Sequence, residues 1–349
     1  MKLVPKKYRG NYEFDPALNF GFEELNIAGK FTFCISLVHR EYVSQIQGEK
    51  IFLNLEEPNG FWCPSFRYPE GTFEKVFSIC KYSTSFFDRL SRGRGEYVFF
   101  PVNMNFVPIK PGGDRPFDVV YSGHLGRNSI IKILQKLGDK GLRLCVISNS
   151  SHPLVTHRGV SHAEKMRLIA SSKFSIVHNQ LFVTRANVFA LMKDFPNFRE
   201  HGAFSHFKEY SFESDSNFEL KVPPSLDLAA RAVQGIERLT RLQKKNIGMM
   251  MKRLWLNKEV ERAPQLKSRL FESSASGTIP IVIQDPWNLV DDWFESDEYI
   301  PSTEHDLAET ILNSVGEYQN LTNLSQHLQD KTSREYSTKA FSEKYLLSY

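Results

Sequence analysis

The stretch FDVVYSGHLGRNSIIKILQKLGDKGLRLCVIS, residues 117–148, decides the fold. It opens with an apolar, β-branched run that stops at Gly123. Apolar residues at helical spacing follow, then a glycine stop at Gly141, then a second apolar run. Continuous rather than alternating apolar residues predict strands buried on both faces, the pattern of a parallel sheet. The rhythm continues with HAEKMRLIASS (162–172), a predicted helix capped by Ser161 with Glu164 three residues on, and KFSIVHN (173–179), a predicted strand. It resumes at LKSRLFESSASGTIPIVIQDPWN (266–288), helix then strand, and at HDLAETILNSV (305–315), a helix. Strands alternating with helices imply an α/β fold with parallel crossovers.

Upstream, PIKPGGDRP (108–116) reads as a linker, with three prolines and two glycines. It separates a domain over 1–108 from a second over 117–318. The first domain offers short strands at FTFCISLV (31–38), KIFLNL (50–55), KVFSIC (75–80) and YVFFPV (97–102), with RLSRGRGE (89–96) as a loop. Residues 180–262 break the rhythm of the second domain and predict a helical insertion, whose long helix starts at Pro223-Pro224. One face of that helix is basic, including Arg231, Arg238, Arg241 and Lys244. It reads as a solvated face or, alternatively, as a surface for an anionic partner. The tail, about 320–349, is predicted helical and expected to return to the first domain.

The chain has 349 residues, 41% apolar, with 28 Phe, 13 Tyr and a net charge of +4. That is enough apolar surface for two cores, and too little net charge for a protein that coats polyanions. No run approaches the roughly 18 apolar residues of a membrane span, and MKLVPKKYRG lacks the apolar centre of a secretory signal. Four cysteines without CxxC spacing predict buried thiols. A soluble cytoplasmic protein is expected, with no metal site and no cofactor.

In open parallel sheets, ligands bind beyond the carboxyl ends of the strands. Polar residues follow four predicted strands: Gly123 and His124, Ser148, His178 and Asn179, and Asp285 through Asn288. One sheet edge would gather them into a cleft. The helix near Leu266 brings a dipole-positive end with Lys267 and Arg269, suited to a pyrophosphate, and Glu272 one turn on, suited to ribose hydroxyls. An ordinary amphipathic helix with surface cations is the competing reading. No complete G-x-G-x-x-G fingerprint, P-loop or nucleophile elbow is present.

KSRLFESSASGTIPIVI resembles the donor-site signature of GT-B glycosyltransferases, where an R-x-F-E or E-K-x-x-N helix precedes A-x-x-G-x-x-P-V-V. The fucosyltransferase-like and spore-maturation-like (CgeB-type) enzymes are the nearest likenesses. FLNLEEPNGFW resembles the N-L-E-S-P segment of α-1,3-fucosyltransferases. The sequence departs from these patterns at Pro264, where retaining enzymes carry the first glutamate of E-x7-E, and at Leu266-Lys267-Ser268 in place of T-E-K.

The resemblance implies two Rossmann-like domains with a cleft between them and a C-terminal helix packing back on the first. It implies transfer of a sugar from a UDP- or GDP-sugar to a hydroxyl of an oligosaccharide or glycoconjugate, inverting and without a metal. Glu56, with Glu57 beside it, takes the place of the catalytic base. The expected donor contacts are Gly123, His124, Ser148, His178, Asn179, Lys267, Arg269, Glu272, Asp285 and Asn288. A two-lobed binding protein without catalysis is the alternative. A nucleic-acid binder is disfavoured by the modest charge and the lack of a basic-aromatic platform.

Overall fold

In the computed structural model the described residues are 1–4, 19–27, 29, 31–36, 38–55, 68–79, 84, 89–108, 115–125, 128–184, 259–285 and 287–347. The first sheet comprises β1 (Lys2–Leu3), β2 (Thr32–Ile35), β3 (Lys50–Asn54), β4 (Lys75–Ser78) and β5 (Gly95–Tyr97), all parallel and in that order. Successive side chains of a strand point to opposite faces. Phe33, Ile35, Ile51, Leu53 and Phe77 therefore enter one core, while Cys34, Phe52 and Val76 enter a second with Tyr68, Phe73 and Leu90. Both faces are covered, which is why these strands read as unbroken apolar runs. Helix α1 (Arg40–Val43) lies between β2 and β3.

The fourth expected strand, 97–102, is shifted. β5 ends at Tyr97, and the last ladder bond runs from Val98 N–H to the Ser78 carbonyl, 2.9 Å. Pro101 has no N–H to continue it. Val102 instead pairs with the returning tail, donating to the Tyr336 carbonyl and accepting from Thr338 N–H, each at 2.9 Å.

The second sheet holds β6 (Phe117–Ser122), β7 (Leu144–Ile147), β8 (Ser172–His178), β11 (Ile279–Ile283) and β12 (Ile300–Ser302). Its order is β12-β11-β8-β6-β7, all parallel. Helices α2 (Asn128–Asp139), α3 (His162–Ala170), α4 (Ser268–Ala275) and α5 (Leu307–Gly316) connect and flank these strands, α2 packing on α5 and α3 on α4. Ser161 caps α3, its hydroxyl accepting Glu164 N–H at 3.1 Å; the Glu164 carboxylate pairs with Arg167 rather than closing the capping box. The chain reverses its direction across the sheet between β6 and β8, the topological switch point of a doubly wound fold.

The excursion between β8 and α4 opens and closes with strands. β9 (Gln180–Thr184) and β10 (Glu259–Pro264) pair antiparallel with Gln180 opposite Pro264. The expected helical insertion over 180–262 is thus corrected at both margins, where Asn179 alone separates two β segments. Its centre, 185–258, lies outside the described residues, as does most of the expected linker. Helix α6 (Thr322–Glu335) packs on α4, and α7 (Thr338–Phe341) carries the chain back to the first sheet. There Phe341 meets Phe22, Phe77 and Phe99 in edge contacts at 5.5–5.7 Å. Two parallel Rossmann-like sheets joined by a C-terminal return are the GT-B arrangement expected from the sequence. Among the described residues no helix is long and apolar enough to cross a membrane.

Candidate functional site at the switch point

The carboxyl edges of the two sheets face each other. Tyr97 ends β5, and its hydroxyl accepts Trp293 Nε1–H at 2.7 Å and donates to Asp292 at 3.0 Å; both partners follow the carboxyl end of β11. The switch point between β6 and β8 lies at this edge, where a doubly wound sheet opens a crevice. Strand order puts Asp285, Asn179, Gly123 with His124, and Ser148 along one edge, since they follow β11, β8, β6 and β7.

Each expected residue has a defined setting. Lys267 is the N-cap residue of α4, and among the described residues no side chain caps this helix; its own N–H donates to Asn179 Oδ1 at 3.1 Å. The helix therefore begins at Ser268, two residues later than the sequence suggested, and Arg269 sits in its half-buried first turn. An uncapped helix start leaves N–H donors and a positive dipole end at the crevice. Arg269 Nη1 lies 3.1 Å from His178 Nε2, and its guanidinium carbon lies 5.5 Å from the Tyr121 ring centroid. His124 is exposed, and its Nδ1 is 3.0 Å from Ser150 Oγ, which also accepts Leu125 N–H at 2.9 Å. Ser148 is one step further out: its hydroxyl accepts Ser150 N–H at 3.1 Å and so shapes the loop that holds His124.

Three of the expected contact residues are buried and held by protein partners. Asn179 is 0% exposed; its amide oxygen and carbonyl accept Lys267 N–H and Gln265 N–H, so it anchors the entry to α4. Asn179 Nδ2 and Gln265 Oε1 are buried and have no hydrogen-bond partner among the described residues. Glu272 is 2% exposed, with Lys165 Nζ at 2.7 Å. Burial alone would raise its pKa, but Lys165, His162 and Arg269 together hold it below the usual carboxylate range. Burial between α3 and α4 makes a charged partner necessary, and Lys165 supplies it. Asp285, 7% exposed, accepts Trp287 N–H at 2.9 Å and so fastens the turn leaving β11. Burial pushes its pKa up to about 6 against the pull of the turn amides. Asn288 is exposed in the left-handed region at φ 47°.

His162 and Lys165, absent from the sequence expectation, complete the layer under Arg269. Burial keeps the His162 pKa low, and its ring meets Phe106 of the first half edge-on at 5.4 Å. The available signal was the start of α3, which must approach the same edge as the start of α4. Glu56 and Glu57 lie outside the described residues; β3 ends at Asn54, two residues before Glu56. Among the described residues no three His, Cys, Asp or Glu side chains group as a metal site.

No family model matches the sequence, and no curated protein sequence matches it significantly. In structure the chain is similar to a mutant of S. aureus TarM in complex with fondaparinux, α-GlcNAc-glycerol and UDP: 10% identity, TM-score 0.45, covering 90% of this chain and 54% of that one. It is also similar to the pneumococcal O-GlcNAc transferase GtfA in complex with UDP and GlcNAc: 10% identity, TM-score 0.44, covering 94% of this chain and 58% of that one. The chain thus spans between half and two thirds of the length of these proteins.

Proposed function

We propose that this protein is a glycosyltransferase that moves a sugar from a nucleoside diphosphate sugar to a hydroxyl of a glycan acceptor, with inversion and without a metal. The observation that carries the reading is the uncapped start of α4, with Arg269 held above Gly123 at the switch point of the second sheet. As the glycosidic bond breaks, charge grows on the departing diphosphate. The α4 amides, Arg269 and Lys267 would stabilise that charge where a metal acts in other enzymes. His124, fixed by Ser150, would present Nε2 to the same anion or to the sugar. Glu56 would take the acceptor proton from the opposite sheet. The nucleotide would be UDP or GDP, whose shared diphosphate is what the α4 start and Arg269 address. Cytoplasmic action fits the buried thiols of Cys34 and Cys145.

The test is a panel of UDP, GDP and their sugars by calorimetry, followed by an assay of donor hydrolysis and transfer. Wild type should bind one nucleotide, and Arg269→Ala should weaken it about a hundredfold, as for loss of a charge-assisted anion contact. Glu56→Gln should keep binding and lose transfer. Binding with no turnover of any donor would favour a two-lobed binding protein instead.

A further inference from the structure

We infer that His178 and Gly123 are positioning residues that aim the Arg269 guanidinium at an oxyanion in the crevice. The inference rests on the diphosphate reading of α4, and assigns these two residues a task other than direct donor contact. Three constraints converge on one guanidinium. His178 is 8% exposed, and its Nε2 is 3.1 Å from Arg269 Nη1. A guanidinium only donates, so in this contact Nε2 is the acceptor.

Tyr121 is the second constraint. Its ring stacks on His178 at 6.4 Å and 24°, with the guanidinium carbon 5.5 Å from its centroid. Tyr121 is itself fixed, being buried and donating its hydroxyl hydrogen to the His124 carbonyl at 3.0 Å. Gly123 is the third. Its φ of 153° lies where side chains are rarely tolerated, and a Cβ there would sit 2.5 Å from Arg269 Nη2 and 3.1 Å from Cζ. The atoms it would meet belong to the Arg269 side chain and not to backbone, so a methyl group at 123 displaces the guanidinium more readily than the sheet.

A free arginine side chain carries a large rotamer entropy. Here folding, not ligand binding, absorbs that loss, which is how preorganisation raises affinity. With Nη1 turned to His178, no hydrogen bond among the described residues takes Nη2 or Nε, and that side of the fork would meet non-bridging oxygens of a diphosphate.

Calorimetry of the full chain with UDP and GDP tests this, using Arg269→Ala, His178→Leu, His178→Gln, Gly123→Ala and the double variant H178L/R269A. His178→Leu should weaken binding about tenfold, the value of one hydrogen bond to a charged group. His178→Gln keeps an acceptor oxygen and should restore most of that loss. In the Arg269→Ala background, His178→Leu should add nothing, and Gly123→Ala should weaken binding while the far-ultraviolet spectrum stays native. Wild-type affinity in His178→Leu, or additive losses in the double variant, overturns the inference and leaves the diphosphate reading standing. Failure of wild type to bind either nucleotide overturns both.

Discussion

The two edges of the second sheet differ in how they hold their charged groups. At the amino edge the charged groups Arg115 and Asp118 are matched by protein partners. Arg115 donates to the Ser172 carbonyl at 2.5 Å, to Thr278 Oγ1 at 3.2 Å and to Ser325 Oγ at 3.3 Å, tying β8, β11 and α6 together where the linker enters. Asp118 receives Arg143 and Lys173. At the carboxyl edge, among the described residues, Asn179 Nδ2 and Gln265 Oε1 are buried without partners and no side chain caps α4, while burial raises the Asp285 pKa to about 6. Buried polar groups left unmatched cost stability. The charged groups of the amino edge are paired within the fold, and at the carboxyl edge buried polar atoms are left without partners among the described residues.

The strongest challenge to that contrast is Lys165, a stabilising cation at the carboxyl edge. Lys165→Met leaves the Glu272 carboxylate buried without its ion pair, which should cost about 3–5 kcal/mol. The double variant K165M/E272Q removes the stranded charge as well and should recover much of this, read by denaturant unfolding. A loss under about 1 kcal/mol in Lys165→Met would mean that Glu272 is solvated and available to a ribose after all. Next in size, Arg115→Met should cost about 2 kcal/mol by removing buried hydrogen bonds from a charged donor, although the Ser172 carbonyl keeps the Thr278 hydroxyl and the Ser325 hydroxyl keeps the Gly277 carbonyl. It should leave nucleotide affinity unchanged, since it lies at the opposite edge.

Asp285 should give an effect of about 2 kcal/mol with its own pH signature. Its folded pKa, about 6, lies above the unfolded value of about 3.9. The folded state therefore holds the proton more tightly, and stability falls as pH rises from about 4 through about 6. Asp285→Asn should lack that fall and gain on wild type over the same interval. A parallel pair of stability curves would show that the turn amides satisfy the carboxylate fully.

The same contrast explains what the sequence disclosed. Both sheets were legible because strands buried on two faces must be continuously apolar, as in IFL (51–53) and IPIVI (279–283). The strand ends were legible because polar residues there interrupt apolar runs. The assignment of partners was not. Glu272 and Asn179 carry the chemistry of ligand contacts, yet depth decides their use, and depth at α4 depends on α3, about a hundred residues earlier. The shift of β5 was hidden similarly, because Val102 pairs with a segment more than two hundred residues away. Glu56 falls outside the described residues, so its task still stands on the resemblance alone.

Asp118 supplies the smallest and most direct test of the satisfied edge. Burial opposes its ionisation, but Arg143 and Lys173 hold its pKa down at about 2. The folded value lies below the unfolded one, so this contribution is present above about pH 4 and is lost as pH falls through about 2. The Arg143 side chain is 51% exposed, and solvent screens its half of the pairing, so about 1 kcal/mol is expected at neutral pH. Asp118→Asn should lose that amount at neutral pH and converge with wild type near pH 2, the reverse of Asp285→Asn. If both variants shift with the same sign, the two edges do not differ in how they treat charge, and the contrast between the amino and carboxyl edges collapses.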